Sequence, residues 1–85
     1  MKTIKTTYQV DGCTEPCWVV LSVGVKVRIA KFYHYIGRNT ILVSEIFNEN
    51  GKELVNSEEE IDGDFDSLTA SDAVRIAKEH SVYLY

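Results

Sequence analysis

Two cysteines, two histidines and one proline are all that this 85-residue chain has of those three residue types. Two cysteines, Cys13 and Cys17, are too few for a disulfide scaffold. A zinc site built on them needs two further ligands, and His34 and His80 are the only imidazoles. Paired Cys-x2-Cys or His-x3-His spacing is missing, so no metal site is expected there. Cys13-Thr14-Glu15-Pro16-Cys17 is best explained as two reduced cysteines around a proline-containing turn. The most apolar run, Cys17 to Val23, is far shorter than the ~20 residues that span a bilayer. The amino-terminal residues lack the apolar core of a secretory signal. No serine or threonine sits in a nucleophile motif, and there is no glycine-rich phosphate loop and no RNP-type motif. The expectation is a soluble, cytoplasmic protein that is not an enzyme and needs no cofactor.

What is present suits one small domain spanning 1–85. The chain is 45% hydrophobic and 26% charged, ordinary proportions for a globular protein and unlike a disordered one. At this length the core is thin, with little interior for a deep substrate pocket of roughly 300 Å³ or more.

Charge is unevenly placed. Residues 1–44 hold six basic residues against two acidic ones, a formal +4, whereas residues 45–85 hold three against eleven, a formal −8. The net charge of −4 therefore conceals a dipolar molecule. Six acids fall between Glu58 and Asp66: Glu58, Glu59, Glu60, Asp62, Asp64 and Asp66. A field of this kind steers charged partners.

Alternation marks the first strand. Ile4, Thr6, Tyr8 and Val10 share one parity, and Thr3, Lys5, Thr7 and Gln9 the other, the pattern of a half-buried strand. Asp11-Gly12 begins a turn. The long apolar stretch beyond it is divided at Gly24 into strands near 17–23 and 25–35, because strands average about 5–6 residues. A further strand runs from Thr40 to Asn48 after a turn at Gly37-Arg38-Asn39. Asn50-Gly51 predicts a two-residue type I′ hairpin, since both residues tolerate positive φ. Its register would set Glu49 opposite Lys52, Phe47 opposite Leu54 and Ile46 opposite Val55. After Val55 an acidic linker is expected, made flexible in part by Gly63. One helix follows, with Thr69 as N-cap, Asp72 as its capping-box partner and an end at His80 or Ser81. Its apolar face is Ala73, Ile76, Ala77 and His80. Val82 to Tyr85 is strand-prone. The fold class is α+β, an antiparallel sheet of about five strands with one carboxy-terminal helix packed on one face.

Two charged constellations are candidate contact surfaces. The acids, extended by Glu45, Glu49 and Glu53 on the hairpin, can imitate a polyanion if the fold displays them rigidly. Duplex DNA itself carries one negative charge per ~1.7 Å of axis. Lys26, Arg28, Lys31 and Arg38, interleaved with Phe32, Tyr33, His34 and Tyr35, form a basic and aromatic strand of the kind that holds single-stranded nucleic acid. With an isoelectric point near 5.0, direct nucleic-acid binding is disfavoured. Asp62-x-Asp64-x-Asp66 through Asp72 also resembles the calcium loop of EF-hand and dockerin repeats. The sixth and twelfth positions of that loop, counted from Asp62, are Ser67 and Ala73, where glycine and a carboxylate are required.

In size, acidity and sheet-plus-helix layout the chain resembles small inhibitors encoded by phages and mobile elements, of which anti-CRISPR proteins are the best-known class. The resemblance implies a non-catalytic protein that occludes a larger protein or ribonucleoprotein handling nucleic acid. It carries no shared motif, so it assigns no residue. The molecule is expected to be a monomer or a homodimer, with residues 17–35 as the stretch to supply a dimer edge.

Overall fold

The computed structural model describes residues 1–33 and 39–81. Five strands follow one another in sequence order across a single antiparallel sheet: β1 (Lys2–Val10), β2 (Cys13–Ser22), β3 (Val25–Tyr33), β4 (Asn39–Glu49) and β5 (Lys52–Ile61). A 3-10 turn (Phe65–Ser67) and one helix, α1 (Ala70–His80), complete the described chain. The fold is α+β, as the alternation and the single helical segment predict. The predicted turn at Gly37-Arg38 and the strand-prone Val82 to Tyr85 lie outside the described residues.

Local chemistry explains the tight turns. Asp11 and Gly12 both have positive φ, as do Asn50 and Gly51, and each pair closes a two-residue hairpin. The hairpin register at Asn50-Gly51 is the predicted one, with Glu49↔Lys52, Phe47↔Leu54 and Ile46↔Val55. It holds as far as a bulge: Glu45 pairs with Ser57, leaving Asn56 without a counterpart. The extra residue resets which face each later β5 side chain occupies.

Three expectations need correction. The first half of the acidic segment is not a linker, because β5 continues through Glu58, Glu59 and Glu60 to Ile61; only Asp62, Asp64 and Asp66 lie in the connection to α1. Glutamate is a poor strand former, but Ile61 packs against the core under α1 and Glu58 to Glu60 are carried between Val55 and that anchor. Second, Cys13 to Cys17 is not a proline turn. These residues form the first half of β2, and Pro16 pairs with Thr7. Val10↔Cys13 closes a two-residue loop and is a hydrogen-bonded pair, so Tyr8↔Glu15 and Thr6↔Cys17 are hydrogen-bonded too. Thr7↔Pro16 falls between them, and the side of Pro16 that lacks a donor faces β3. Pairing of β2 with β3 ends at Cys17↔Ala30, one residue before it.

The third correction concerns Gly63. A Cβ placed there would lie 2.7 Å from Cδ1 of Ile41, and φ is +156°. The glycine permits the chain to press against the core as it leaves β5; a close approach, not flexibility, is what it supplies.

The sheet has two unlike faces. On one, Val20, Val27, Ile29, Ile41 and Val43 meet Phe65 and the Ala73, Ile76 and Ala77 stripe of α1. Each fully buried Val or Ile contributes roughly 1.5–3 kcal/mol relative to exposure. Among the described residues the other face carries no helix. There Cys17, Val19 and Ala30 form a smaller cluster beneath Tyr8 and Leu21.

Candidate functional site

Strand alternation decides where the charges go. On β3, Lys26 and Arg28 project to the open face, whereas Lys31 has the opposite parity and lies on the helix face. The basic run is therefore divided between two surfaces. Each of these three also has an internal contact. Lys26 is ion-paired with Glu53 across the open face. Lys31 Nζ lies 2.7 Å from Asp66 Oδ2 beside the 3-10 turn. The Arg28 guanidinium sits 4.4 Å from the centroid of the Tyr8 ring, a cation–π contact. Arg28 Nε and Ser44 Oγ, opposite each other in register, are buried without hydrogen-bond partners among the described residues. Arg38 and His34 lie outside the described residues.

Burial and the nearby Arg28 hold the Lys26 ammonium below the ordinary lysine range. Glu53 is half exposed, so water screens its charge. Burial likewise raises the Tyr8 hydroxyl, against the opposing pull of Arg28. A basic strand with these properties is already occupied within its own fold.

The acids are placed differently. β5 is an edge strand, exposed along its length up to Ile61. Glu58 and Glu60 project to the open face and Glu59 to the helix face. Glu59 Oε2 is 2.8 Å from Nδ1 of His80, which ties the edge strand to the end of α1. Thr40 donates to Glu60 Oε1 at 3.0 Å. Beyond the strand, Asp64 caps the 3-10 turn by accepting from the Asp66 N–H at 3.2 Å and from the Ser67 hydroxyl at 3.3 Å. Glu58 and Asp62 have no hydrogen-bonded or ion-paired partner among the described residues. Two of the three glutamates expected to extend the patch do not do so. Glu45 is only 4% exposed, and Glu53 is engaged by Lys26; Glu49 remains exposed at the hairpin.

The calcium-like spacing does not build a calcium loop. Asp64 faces Ser67, Asp66 faces Lys31, and Asp72 accepts from the Thr69 N–H at 2.9 Å. Each carboxylate is turned to a different donor. No group of three His, Cys, Asp or Glu side chains is arranged to hold an ion among the described residues.

The cysteines cannot act together. Four residues apart on one strand, they are separated by about 13 Å, beyond the reach of a disulfide or of one zinc ion. Cys17 is fully buried and burial raises its thiol, which removes it as a nucleophile. Cys13 is exposed at the start of β2.

Two open clefts flank the acidic strand, each larger than the thin core predicts because each lies at the surface. One, of about 420 Å³, lies between the loop after β5 and α1, with Asp62, Asp64, Asp72, Arg75 and Glu79 in its walls. The other, of about 410 Å³, lies where β2 and β3 part beyond Pro16, walled by Tyr8, Arg28, Phe32, Leu42, Glu15 and Glu58. Glu58 thus borders an open-face cleft and Asp62 the helix-side one.

Comparison with protein-family models, with characterised proteins and with solved structures found no match. Among the described residues no helix is long and apolar enough to cross a membrane.

What alternation of the sequence did not reveal is the division of both charge clusters across the sheet. The signal was present only in part. The Asn50-Gly51 register fixes facing up to Val55, but the bulge at Asn56 shifts everything beyond it.

Proposed function

We propose that this protein is a non-catalytic binding domain that docks its acidic edge against a basic surface of a larger partner. The edge runs from Glu58 to Asp66, along β5 and into the 3-10 turn. The observation that carries this reading is the inequality within the ion pairs. Lys26 and Lys31 side chains are 20% and 15% exposed, whereas their partners Glu53 and Asp66 are 52% and 62% exposed. Glu59 is 56% exposed in its contact with His80. The basic halves are withdrawn into the fold and the acidic halves stay at the surface, so the charge offered to a partner is negative.

Rigidity supports the same reading. Residues along a strand rise ~3.3 Å each, so Glu58 and Glu60 stand about 6.6 Å apart on one side of a hydrogen-bonded strand. A row of fixed carboxylates competes for a groove built for phosphates without first losing conformational entropy. The partner class that follows is a protein or ribonucleoprotein that handles nucleic acid, and the mode of action is occlusion, as the resemblance to anti-CRISPR inhibitors implies. Direct nucleic-acid binding through Lys26, Arg28 and Lys31 is the weaker reading, because two of the three are ion-paired and the third is stacked on Tyr8.

The test is capture from a nuclease-treated bacterial lysate on immobilised protein, followed by elution with heparin. Glu58→Lys and Asp62→Lys together reverse two acids that have no hydrogen-bonded or ion-paired partner among the described residues. A partner retained by the wild type, released by heparin and lost by the double variant is the expected result. Retention by the variant removes the acidic edge as the contact. Salt-sensitive binding of an oligonucleotide by the purified protein would instead favour the basic strand.

A further inference from the structure

The sheet has two edges, and they are built differently. β5 carries three consecutive glutamates and a bulge at Asn56, both devices that discourage pairing with another strand. β1 has neither. It is regular over nine residues, contains no proline, and among the described residues pairs with β2 alone. Its backbone groups alternate. Hydrogen-bonded pairing with β2 falls at Val10, Tyr8, Thr6, Ile4 and Lys2, so the N–H and C=O groups of Thr3, Lys5, Thr7 and Gln9 point outward.

We propose that the protein pairs with a second copy of itself through this edge, β1 against β1, antiparallel, with the two-fold axis at Thr6. This inference is independent of the acidic-edge reading. The register follows from the outward groups and the side chains. With Thr6 on the axis, Lys5 faces Thr7 of the second copy and Thr3 faces Gln9 as hydrogen-bonded pairs, about eight bonds in all. On the open face, Thr6 meets Thr6, Ile4 meets Tyr8 and Lys2 meets Val10. Thr–Thr and aromatic–β-branched pairs are among the favourable cross-strand contacts. Val10 is 40% exposed in the single copy, and the aliphatic stem of Lys2 would cover it. The neighbouring register, with the axis at Lys5, sets two lysines directly opposite and is disfavoured. Lys5 itself leans inward, its Nζ 5.4 Å from the Trp18 ring centroid, which keeps it off the edge. Of the stretch 17–35 expected to supply a dimer edge, residues 17–22 and 25–33 lie in the interior strands β2 and β3 and are not available for it. A nine-residue edge buries less area than standard stable interfaces, so the dimer is weak and concentration-dependent.

Sedimentation equilibrium of the full chain over a wide concentration range should show mass rising from one copy to two. Position-specific crosslinking then reads the register in a Cys13→Ser, Cys17→Ala background, which also removes the thiol that lies directly opposite Thr6 on β2. At the axis, a non-hydrogen-bonded pair brings Cα atoms to ~4.5 Å, within disulfide range. Thr6→Cys should therefore form a covalent dimer on the order of tenfold faster than Lys5→Cys or Thr7→Cys, whose copies are offset by two residues and stand ~7–8 Å apart. Thr7→Pro deletes an outward donor and leaves the β2 ladder intact; it should shift the chain to the monomer with an unchanged circular dichroism spectrum. Monomeric mass at every concentration, or faster crosslinking at Lys5 or Thr7, overturns the proposal. Should Thr7→Pro disturb the fold, the crosslinking comparison still decides.

Discussion

Lys31 and Asp66, thirty-five residues apart in sequence, meet at 2.7 Å. The contact joins the basic third strand to the acidic turn before α1. It is one of the places where the charge asymmetry of the chain is partly cancelled by folding. Because Asp66 is well exposed, the pair contributes little. Asp66→Asn should cost less than about 1 kcal/mol, and the loss should shrink as salt is added. Urea melts of the wild type, Asp66→Asn, Lys31→Met and the double variant give the coupling directly. A coupling that does not fall with salt would show that something other than the ion pair joins the two sites.

The helix start makes stability depend on pH. Asp72 is held below the ordinary aspartate range, first by the Thr69 N–H and then by the Thr69 hydroxyl, with Arg75 a lesser influence. A depressed folded-state value stabilises the fold above the unfolded value, about 3.9, and that contribution disappears as pH falls through the folded value. Thermal melts from neutral pH to about pH 2 should show wild type losing more stability than Asp72→Asn over that acid window. Parallel curves would remove Asp72 as the source. Thr69→Ala should cost about 1 kcal/mol at neutral pH through loss of the cap.

Gly63 should be among the least replaceable surface residues. Alanine there meets Ile41 Cδ1 and a φ of +156° together. A loss of roughly 1–3 kcal/mol is expected for Gly63→Ala in urea denaturation. A neutral result would mean that the chain leaving β5 is free to move away from the core.

Thiol labelling of the native protein should modify one cysteine. Cys13 is exposed and Cys17 is buried with a raised thiol. Iodoacetamide followed by peptide mass mapping should mark Cys13 at least tenfold faster, roughly the difference that burial and a raised pKa together impose. Equal rates would show that β2 opens readily beside Pro16.

Much of the secondary structure was legible because its causes are local. Asn50 and Gly51 accept positive φ on their own, and the register they imply needs only the residues on either side. Thr69 and Asp72 form their box within one turn. Ala73, Ile76 and Ala77 declare a face by spacing alone. The candidate site was less legible. The six acids were visible in sequence, but the setting of three of them on an edge strand was not, since Glu58, Glu59 and Glu60 disfavour the conformation they adopt.

By itself, then, the sequence of this protein determined its short-range geometry: the tight hairpins, the helix and its cap, and the dipolar split of charge. Tertiary structure alone decided the length of β5, the place of Pro16 in a strand and the contact of Gly63 with Ile41. It also decided which charges remain at the surface. The physical reason is separation. Hairpin turns and caps gain their energy among neighbours within a few residues. Anchoring Ile61 under α1, or drawing Lys31 to Asp66, depends on groups that meet only after the whole sheet has formed.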